Sequence, residues 1–227
     1  LQAQDRIVSV STASGPAFEG AHIKFGMRAA NGAIEHVRLS ENGPPDIQVI
    51  GDKHPIGICG SGILDVVAQM RAQNILNQRG RIIKTATQVR MDEQGKPEFM
   101  LIPGKKPITI SQNDVDQILL AKGAIRAGID ILMDYLNITP SDIEEIVIAG
   151  AFGSYLLPEH AMGIGMLPSV PLESIKTVGN AAGTGARMMV ASTKARKKAV
   201  HLANQIEYLE LTVYEGFDMF YAQGIRS

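Results

Sequence analysis

The sequence predicts an α/β fold, and two similar segments in its second half carry that prediction. A β-branched run at residues 146–148 and another at residues 175–178 each end close to a glycine, and each precedes a helix-compatible stretch. Strands that alternate with helices pair in parallel. Ligands of open α/β sheets bind outside the carboxyl ends of the strands. The loops after these two strands are therefore expected to form two walls of one site, of a shape suited to a nucleotide.

The composition is that of an ordinary globular protein and disfavours several functional classes. The 227 residues are 45% hydrophobic and 20% charged, with a formal net charge of −1. This charge gives no electrostatic reason to expect binding to nucleic acid or to a membrane surface. No apolar run approaches the ~20 residues that span a bilayer, and the first residues lack the pattern of a signal peptide.

The cysteine content points to a reducing compartment. Cys59 is the single cysteine, so these residues hold neither an intrachain disulfide nor a cysteine-ligated cluster. A cytoplasmic location is the simplest expectation. The chain begins at Leu1, close to a predicted strand, and ends without a clear helix stop. Both ends are expected to be cuts through a longer polypeptide, with the removal of a tag as the alternative.

The elements of the first half are short, apart from one amphipathic helix. Apolar alternation, helical spacing and turn residues set their bounds. The expected elements are a strand at 6–11, a helix near 18–25, strands at 33–39 and 46–50, and a helix over 63–76. Residues 81–111 are predicted to form a small β-rich insertion, which includes a short strand at 82–83 and a hairpin turn at 92–95.

The second half contains the longest predicted helix, which runs from Ser111 to about Leu136. Ser111 and Asp114, three residues apart, resemble a capping box at its start. The later elements are a short helix that begins at Pro140, followed by elements expected at 146–149 (strand), 158–162 (helix), 175–178 (strand), 181–191 and 194–206 (helices) and 208–213 (strand), before a terminal helix.

Two cations lie on the apolar face of the longest helix. Lys122 and Arg126, four residues apart, fall within its apolar stripe, whereas Ala124, Ala127 and Asp116 lie opposite. A buried cation must reach water or meet an anion, because an unpaired buried charge is costly. Two interpretations stay open. These cations either form salt bridges or snorkel, or they reach a nucleotide, with Arg126 on a ring and Lys122 on ribose or phosphate.

The glycine-rich loops allow structural and functional interpretations. GAFGS, at residues 150–154, is either a tight strand-to-helix turn or a ligand loop, and it lacks the ending of a phosphate-binding P-loop. GNAAGTGA, at residues 179–186, matches a dinucleotide fingerprint poorly. Close packing of its alanines against the sheet is favoured for Ala181, Ala182 and Ala186.

Two further loops and the histidines are candidates for chemistry. GICGSG, at residues 57–62, precedes a helix whose first amides suit an anion, and Cys59 within it is either a reactive thiol or a small buried apolar residue. Glu19 lies in a turn before a helix and suits the helix dipole there. The five histidines have no helical spacing suited to a metal, so no metal site is predicted from protein ligands alone.

Five segments together resemble the C-terminal domain of the reductive activators of corrinoid proteins, and they occur in that family's order. They are STASGPAFEGAHIKFGMRAANGAI, GICGSGILDVV, ISQNDVDQILLAKGAIRAGIDIL, EEIVIAGAFGSYL and TVGNAAGTGARMM. The resemblance implies a ribonuclease H-like lobe of the superfamily that contains acetate and sugar kinases, heat-shock chaperones and actin. Residues 1–227 would form the C-terminal lobe of such an ATPase domain, with the β-rich insertion at 81–111.

The resemblance also assigns roles to individual residues. It implies that the adenosine motif comprises Gly150, Ala151, Phe152 and Gly153. Lys122 and Arg126 would lie on the helix that contributes side chains to the adenosine. Gly15 and Glu19 would border the nucleotide. The second connecting motif, where the two lobes meet at a hinge, would comprise Gly179, Asn180, Gly183 and Gly185.

The activity implied by the resemblance is the ATP-dependent reduction of cob(II)alamin to cob(I)alamin. The partner would be a corrinoid protein or a corrinoid-dependent methyltransferase, and the electron would come from an iron–sulfur cluster in a separate domain. ATP with Mg²⁺ would complete the cofactors. The phosphate loops and cluster cysteines of the family are not among these residues. The isolated chain is therefore expected to be inactive.

Three alternatives stay open at this point. The first is a non-catalytic module that docks a corrinoid protein, and the second is a lobe of a small-molecule kinase of the same superfamily. A homodimer is also left open. A reductive activator is the preferred interpretation because all five segments match it in order.

Overall fold

Helices alternate with short strands in this computed structural model, which describes residues 1–3, 5–40, 43–150 and 152–227. The strands are β1 (Gln2–Ala3), β2 (Arg6–Ser9), β3 (Ala33–Arg38), β4 (Asp46–Val49), β5 (Gly57–Ile58), β6 (Val89–Met91), β7 (Pro97–Ile102), β8 (Ile108–Ser111), β9 (Ile146–Ile148), β10 (Ile175–Thr177) and β11 (Ile206–Tyr208). The α-helices are α1 (Gly60–Ala72), α2 (Gln112–Leu136), α3 (Pro158–Gly163), α4 (Ala181–Ala191), α5 (Thr193–Ala203) and α6 (Phe217–Arg226).

The strands form small sheets rather than one continuous sheet in the described part of the chain. Their orders are β1-β2-β11, β4-β3-β5, β6-β7-β8 and β10-β9. β9 and β10 are parallel, with Ile146 beside Ile175, which confirms the pairing expected for the two glycine-ended strands. The antiparallel sheet β6-β7-β8 occupies the predicted β-rich segment, and the Asp92 carboxylate closes its hairpin turn by accepting from two backbone N–H groups.

Several predicted bounds are confirmed and others are wrong. α2 begins after Ser111, whose side chain and that of Asp114 form the predicted capping box. The predicted strand at 208–213 is wrong, because the strand ends at Tyr208 and residues 211–213 form a 3₁₀ turn instead. β11 is limited by its short parallel partner β2, and the Glu210 carboxylate then accepts from the Thr212 N–H to start the turn.

Two predicted elements of the first half are also wrong. The helix near 18–25 is a single 3₁₀ turn, Ala17–Glu19, which ends at Gly20 in the left-handed conformation. An added Cβ at Gly26 would collide with the carbonyl oxygen of Gly20, so the chain folds back on itself there instead of continuing as a helix. Residues 82–83 do not form a strand, because Ile82 makes only an isolated bridge to Leu76.

The main hydrophobic core surrounds α1. Nearly all of this helix is buried, from Gly60 to Ala68, and Met70 is buried as well. Phe99, Leu101 and Ile110 of the antiparallel sheet are buried in the same core. The sheet at residues 89–111 is therefore packed into the main body of the chain through one apolar face.

Helices α2 and α6 pack closely through small residues. An added Cβ at Gly123 would lie 2.7 Å from Cγ1 of Ile225, and one at Gly224 would lie 2.6 Å from the carbonyl oxygen of Gly123. Ala127 lies in the same contact, since an added Cβ at Gly224 would lie 3.3 Å from its backbone nitrogen. Small residues therefore allow the backbones of α2 and α6 to approach closely.

Helix α4 lies on the outside of the described chain. It contains no buried residue, and Met188 and Val190 are exposed. The expected close packing of Ala181, Ala182 and Ala186 is wrong for the described residues, because all three are exposed. Among those residues, none of the helices combines the length and apolarity that crossing a bilayer requires.

One face of α1 hydrogen-bonds to the backbone of β3. The Gln69 amide donates to the Val37 carbonyl oxygen at 2.6 Å and accepts from the Leu39 N–H at 2.7 Å. Gln73, one turn later, donates to the Leu39 carbonyl oxygen at 3.2 Å. β5 pairs with β3 only at Ala33 and Ile34. Side chains of α1 thus take the place of a neighbouring strand along the rest of this edge.

We predict that Gln69→Leu lowers the free energy of unfolding by about 1–3 kcal/mol, because the Val37 carbonyl oxygen and the Leu39 N–H lose their side-chain partner. Urea denaturation followed by circular dichroism measures the change. Gln73→Leu is the matched control, because it removes only one longer hydrogen bond and should cost less. Equal losses in the two variants would contradict the role assigned to Gln69.

Candidate functional site

The loops after β9 and β10 meet directly. The Gly150 N–H donates to the Gly179 carbonyl oxygen at 2.8 Å, which extends the parallel pairing beyond the strands. The Ser154 hydroxyl donates to the Gly150 carbonyl oxygen at 3.2 Å and turns the chain back. Gly150 has a φ of 109°, a conformation that favours glycine. The carboxyl ends of both strands therefore face the same region, as expected from their pairing.

A cavity of about 470 Å³ lies beside this loop at the start of α1. Phe152 and Tyr155, from the segment after β9, line one wall. Phe18 and Glu19 of the first 3₁₀ turn line another, and the beginning of α1 at residues 59–61 closes the end. Met27 and Ile50 add apolar surface, whereas Glu19, Glu35 and Arg28 bring charge to the lining. The volume lies within the range of small-molecule sites.

Close packing at one glycine forms the apolar floor of the cavity. The rings of Phe18 and Phe152 lie 5.2 Å apart between centroids and are tilted by 32°. An added Cβ at Gly60 would collide with the carbonyl oxygen of Phe18 and would lie 3.0 Å from the Phe152 ring. Only glycine therefore allows the start of α1 to lie against both aromatic residues.

The N-terminus of α1 opens into the cavity without a capping side chain. Cys59 is the N-cap residue, and its side chain makes no capping hydrogen bond to a backbone N–H group of the first turn. Its thiol is buried and lies 3.4 Å from the carbonyl oxygen of Ile34. The first amides of a helix have no partner within the helix, and the helix dipole favours negative charge there. This end of α1 therefore offers hydrogen-bond donors to a ligand in the cavity.

The structure brings together some of the expected nucleotide residues. Glu19 and Phe152 both line the cavity. Gly153 is buried beneath the loop, where an added Cβ would lie 2.5 Å from Cγ2 of Ile148. Gly15 is exposed and has a φ of 69° before the 3₁₀ turn. Ala151 lies outside the described residues.

Lys122 lies apart from the cavity, in the contact between α2 and α6. Its side chain is 0% exposed, and its Nζ donates to the carbonyl oxygen of Ser227 at 2.5 Å and to its hydroxyl at 3.0 Å. The Arg71 guanidinium donates to the same carbonyl oxygen at 2.6 Å. Burial, together with the positive charges of Arg71 and Arg126, lowers the pKa of Lys122 to about 7.

Arg126 forms a salt bridge, as in the first of the two interpretations of the cations on α2. Its Nε lies 2.8 Å from a carboxylate oxygen of Asp130, four residues later on the same helix. Both side chains are about one-fifth exposed, at 21% and 19%. In this arrangement α2 uses its two cations for contacts within the chain, and neither lines the cavity beside Phe152.

The residues expected at a hinge form the start of α4. The Asn180 side chain accepts from the Gly183 N–H at 2.9 Å and caps the helix. An added Cβ at Gly183 would lie 2.7 Å from the Asn180 amide nitrogen. Gly179 has a φ of 61°, and Gly185 has open space around it. The observed roles of these residues are turn formation and capping, and their role at a hinge stays a prediction.

Sequence reasoning missed several residues of the cavity wall. Phe18, Ser61 and Tyr155 line it but were not singled out. Phe18 precedes Glu19 in GPAFEGA, and Ser61 lies in the GICGSG loop that was noted for its helix amides. That loop carried a usable signal, because its glycines precede a helix. Within the described ranges, no group of three or more histidine, cysteine, aspartate or glutamate side chains is arranged to hold a metal ion.

Comparisons with known proteins agree with this fold. The chain has the actin-like class of ATPase fold, because a solved structure of a reductive activator for corrinoid, iron–sulfur protein superimposes on it with a TM-score of 0.87. That alignment has 36% identity and covers 97% of this chain and 36% of the other. Residues 1–226 match the family model described as the C-terminal domain of RACo, the ASKHA domain. The chain belongs to this family.

Two curated relatives carry related names. The corrinoid activation enzyme RamQ of Eubacterium limosum is 40% identical over an alignment of 201 residues, which covers 83% of this chain and 34% of that protein. The Co(II) methylated amine-specific corrinoid protein reductase of Methanosarcina barkeri is 28% identical over 244 residues, covering 97% of this chain and 42% of that protein. The chain thus spans between 34% and 42% of the length of these relatives.

We predict that stability rises with pH because of Lys122. Its folded pKa is about 7, whereas an unfolded lysine titrates near ~10.4. Between these values the unfolded state binds more protons, so the free energy of unfolding increases with pH by at most about 1.4 kcal/mol per unit. Below about pH 7 both states are protonated, and Lys122 adds no slope.

Denaturant unfolding across this pH window, compared between the wild type and Lys122→Met, isolates the contribution of Lys122. The variant has no titrating group at this position and should lack the additional slope. Identical pH profiles for the two proteins would contradict the buried, proton-poor state of Lys122.

Proposed function

We propose that this chain is the nucleotide-binding part of an ATP-dependent reductive activator of a corrinoid protein, and that the cavity at the start of α1 receives the adenosine. The observation that carries this proposal is the meeting of Glu19 and Phe152 in one cavity. The family resemblance assigned both residues to the nucleotide. They are far apart in the sequence, and both lie beside the start of α1.

The chemistry of the cavity wall suits an adenosine. The Phe152 ring provides an apolar face for a base, and stacking of a base on an aromatic ring is favourable. The Glu19 carboxylate is exposed and accepts hydrogen bonds, which suits ribose hydroxyl groups. The first amides of α1 provide donors for an acceptor atom of the ligand. An apolar surface with a few polar groups is the usual composition of such a site.

We further propose that this chain is one part of a longer protein and that the activity belongs to that whole protein. The relatives are named for corrinoid activation and for the reduction of a corrinoid protein. Mg²⁺–ATP would supply the free energy and an iron–sulfur cluster the electron. The contribution of this chain is to bind the nucleotide differently in two conformations, because a ligand shifts an equilibrium only through its differential affinity. The partner would be a corrinoid protein or a corrinoid-dependent methyltransferase.

We expect Phe152→Ala in the full-length protein to weaken the binding of a non-hydrolysable ATP analogue about tenfold, because the stacking surface is lost. Isothermal titration calorimetry measures the dissociation constant. Phe217→Ala is a matched control, because Phe217 stacks on Tyr221 of α6 and does not line the cavity. Unchanged affinity in Phe152→Ala with weaker binding in Lys122→Met or Arg126→Ala would instead assign the adenosine to α2.

The proposed activity is tested with the full-length protein and a cob(II)alamin-loaded corrinoid protein. The absorbance of cob(I)alamin should increase when an electron donor and Mg²⁺–ATP are both present, and the Phe152→Ala variant should need more ATP. Omission of ATP is the control. Reduction to the same extent without ATP would contradict the proposed coupling.

A further inference from the structure

A buried carboxylate joins three elements behind the cavity. Asp65, on α1, is only 1% exposed. One of its oxygens lies 2.6 Å from Nδ1 of His160, and the other lies 3.0 Å from Nδ1 of His36. The second oxygen also accepts from the Val37 N–H at 3.3 Å. Asp65, His36 and His160 are called the Asp65 bridge below. A buried carboxylate without such partners would be costly.

The two imidazoles connect Asp65 to different parts of the chain. His36 lies on β3, which α1 already contacts through the hydrogen bonds of Gln69. His160 lies on α3, which belongs to the segment that begins with Phe152 and Tyr155. An ionised carboxylate only accepts hydrogen bonds, so each imidazole donates from Nδ1. The His36 contact therefore reinforces an existing attachment, whereas the His160 contact attaches the segment after β9 to α1.

The position of the bridge relates it to the cavity. Asp65 lies about one helical turn after Ser61 on α1, and residues 59–61 at that end line the cavity. His160 lies on α3, five residues after Tyr155, which lines another wall. Leu156 and Ala161 of the same segment are buried in the core, but such apolar contacts do not fix the position of the segment along α1. The contact of 2.6 Å between His160 and Asp65 does fix this position, because hydrogen bonds are directional.

We propose that His160 is a positioning residue, which holds the wall formed by Phe152 and Tyr155 at the start of α1 through Asp65. The consequence for the cavity rests on the proposed function. The mechanical role of the bridge does not, because it concerns the position of residues 152–157 with or without a ligand. Loss of the contact would let this segment leave the arrangement that forms the cavity, and binding would weaken in proportion to the population lost.

The test compares two variants that each remove one imidazole from the same carboxylate. Hydrogen exchange of the full-length protein, followed by mass spectrometry, should show about tenfold faster exchange at residues 152–157 in His160→Leu. His36→Leu should not accelerate exchange in that segment, although it also leaves one oxygen of Asp65 with fewer partners. His160→Asn should restore the wild-type rate, because its amide nitrogen takes the place of Nδ1. His160→Ala is a second variant with less bulk, in case His160→Leu does not fold.

The same variants are titrated with the non-hydrolysable ATP analogue. Weaker binding in His160→Leu, with near-normal binding in His36→Leu and His160→Asn, would support the positioning role. Equal exchange in the two leucine variants would overturn the positioning role, and unchanged affinity despite faster exchange in His160→Leu would overturn its consequence for the cavity. If the wild type does not bind the analogue, the proposed function fails, and the exchange data alone decide whether the bridge positions the segment.

Discussion

The close approach of the first turn of α1 to two backbone carbonyl groups is the constraint on which the rest of the structure depends. Side chains at Gly60 and Gly62 would collide with the carbonyl oxygens of Phe18 and Ile34, respectively. Glycine at both positions lets the helix begin against the first 3₁₀ turn and against β3. From this position α1 is buried in the main core, covers the open edge of β3 and places its amides in the cavity.

A single helix thus links stability to the candidate site. Its first turn closes the cavity, and Asp65 and Gln69 join it to β3 and α3. Burial of such polar side chains is tolerated because each has partners of suitable geometry. Among the described residues, no buried side-chain nitrogen or oxygen lacks a hydrogen-bond partner. The polar groups of α1 therefore orient the walls of the cavity, whereas its apolar groups stabilise the core.

Local features of the fold followed from the sequence more reliably than tertiary ones. The capping box at Ser111, the helix at 181–191 and the parallel strands β9 and β10 depend on neighbouring residues and on short periodic patterns. The end of β11 depends on its pairing with β2, which no local pattern encodes. The exposure of α4 depends on what packs against it, and its small residues alone wrongly suggested close packing.

The candidate site likewise has some residues that the sequence pointed to and some contacts that only the structure shows. The family resemblance selected Glu19 and Phe152, and the structure places both beside one cavity. The apolar stripe of α2 revealed that Lys122 is unusual, yet its partner is Ser227, which is far away in the sequence. Periodicity shows that a charge is buried but does not show what it meets. The Asp65 bridge escaped detection because its three residues share no sequence spacing.

Hydrogen exchange of the full-length protein with and without Mg²⁺–ATP tests most directly whether the nucleotide binds at the start of α1. Ligand addition should slow exchange at residues 57–62 and 152–156, which include the residues of these two walls of the cavity. The peptide around Lys122 should remain unchanged, because its side chain is buried in the contact with α6. Protection of residues 122–126 without protection at either cavity wall would contradict nucleotide binding at the start of α1.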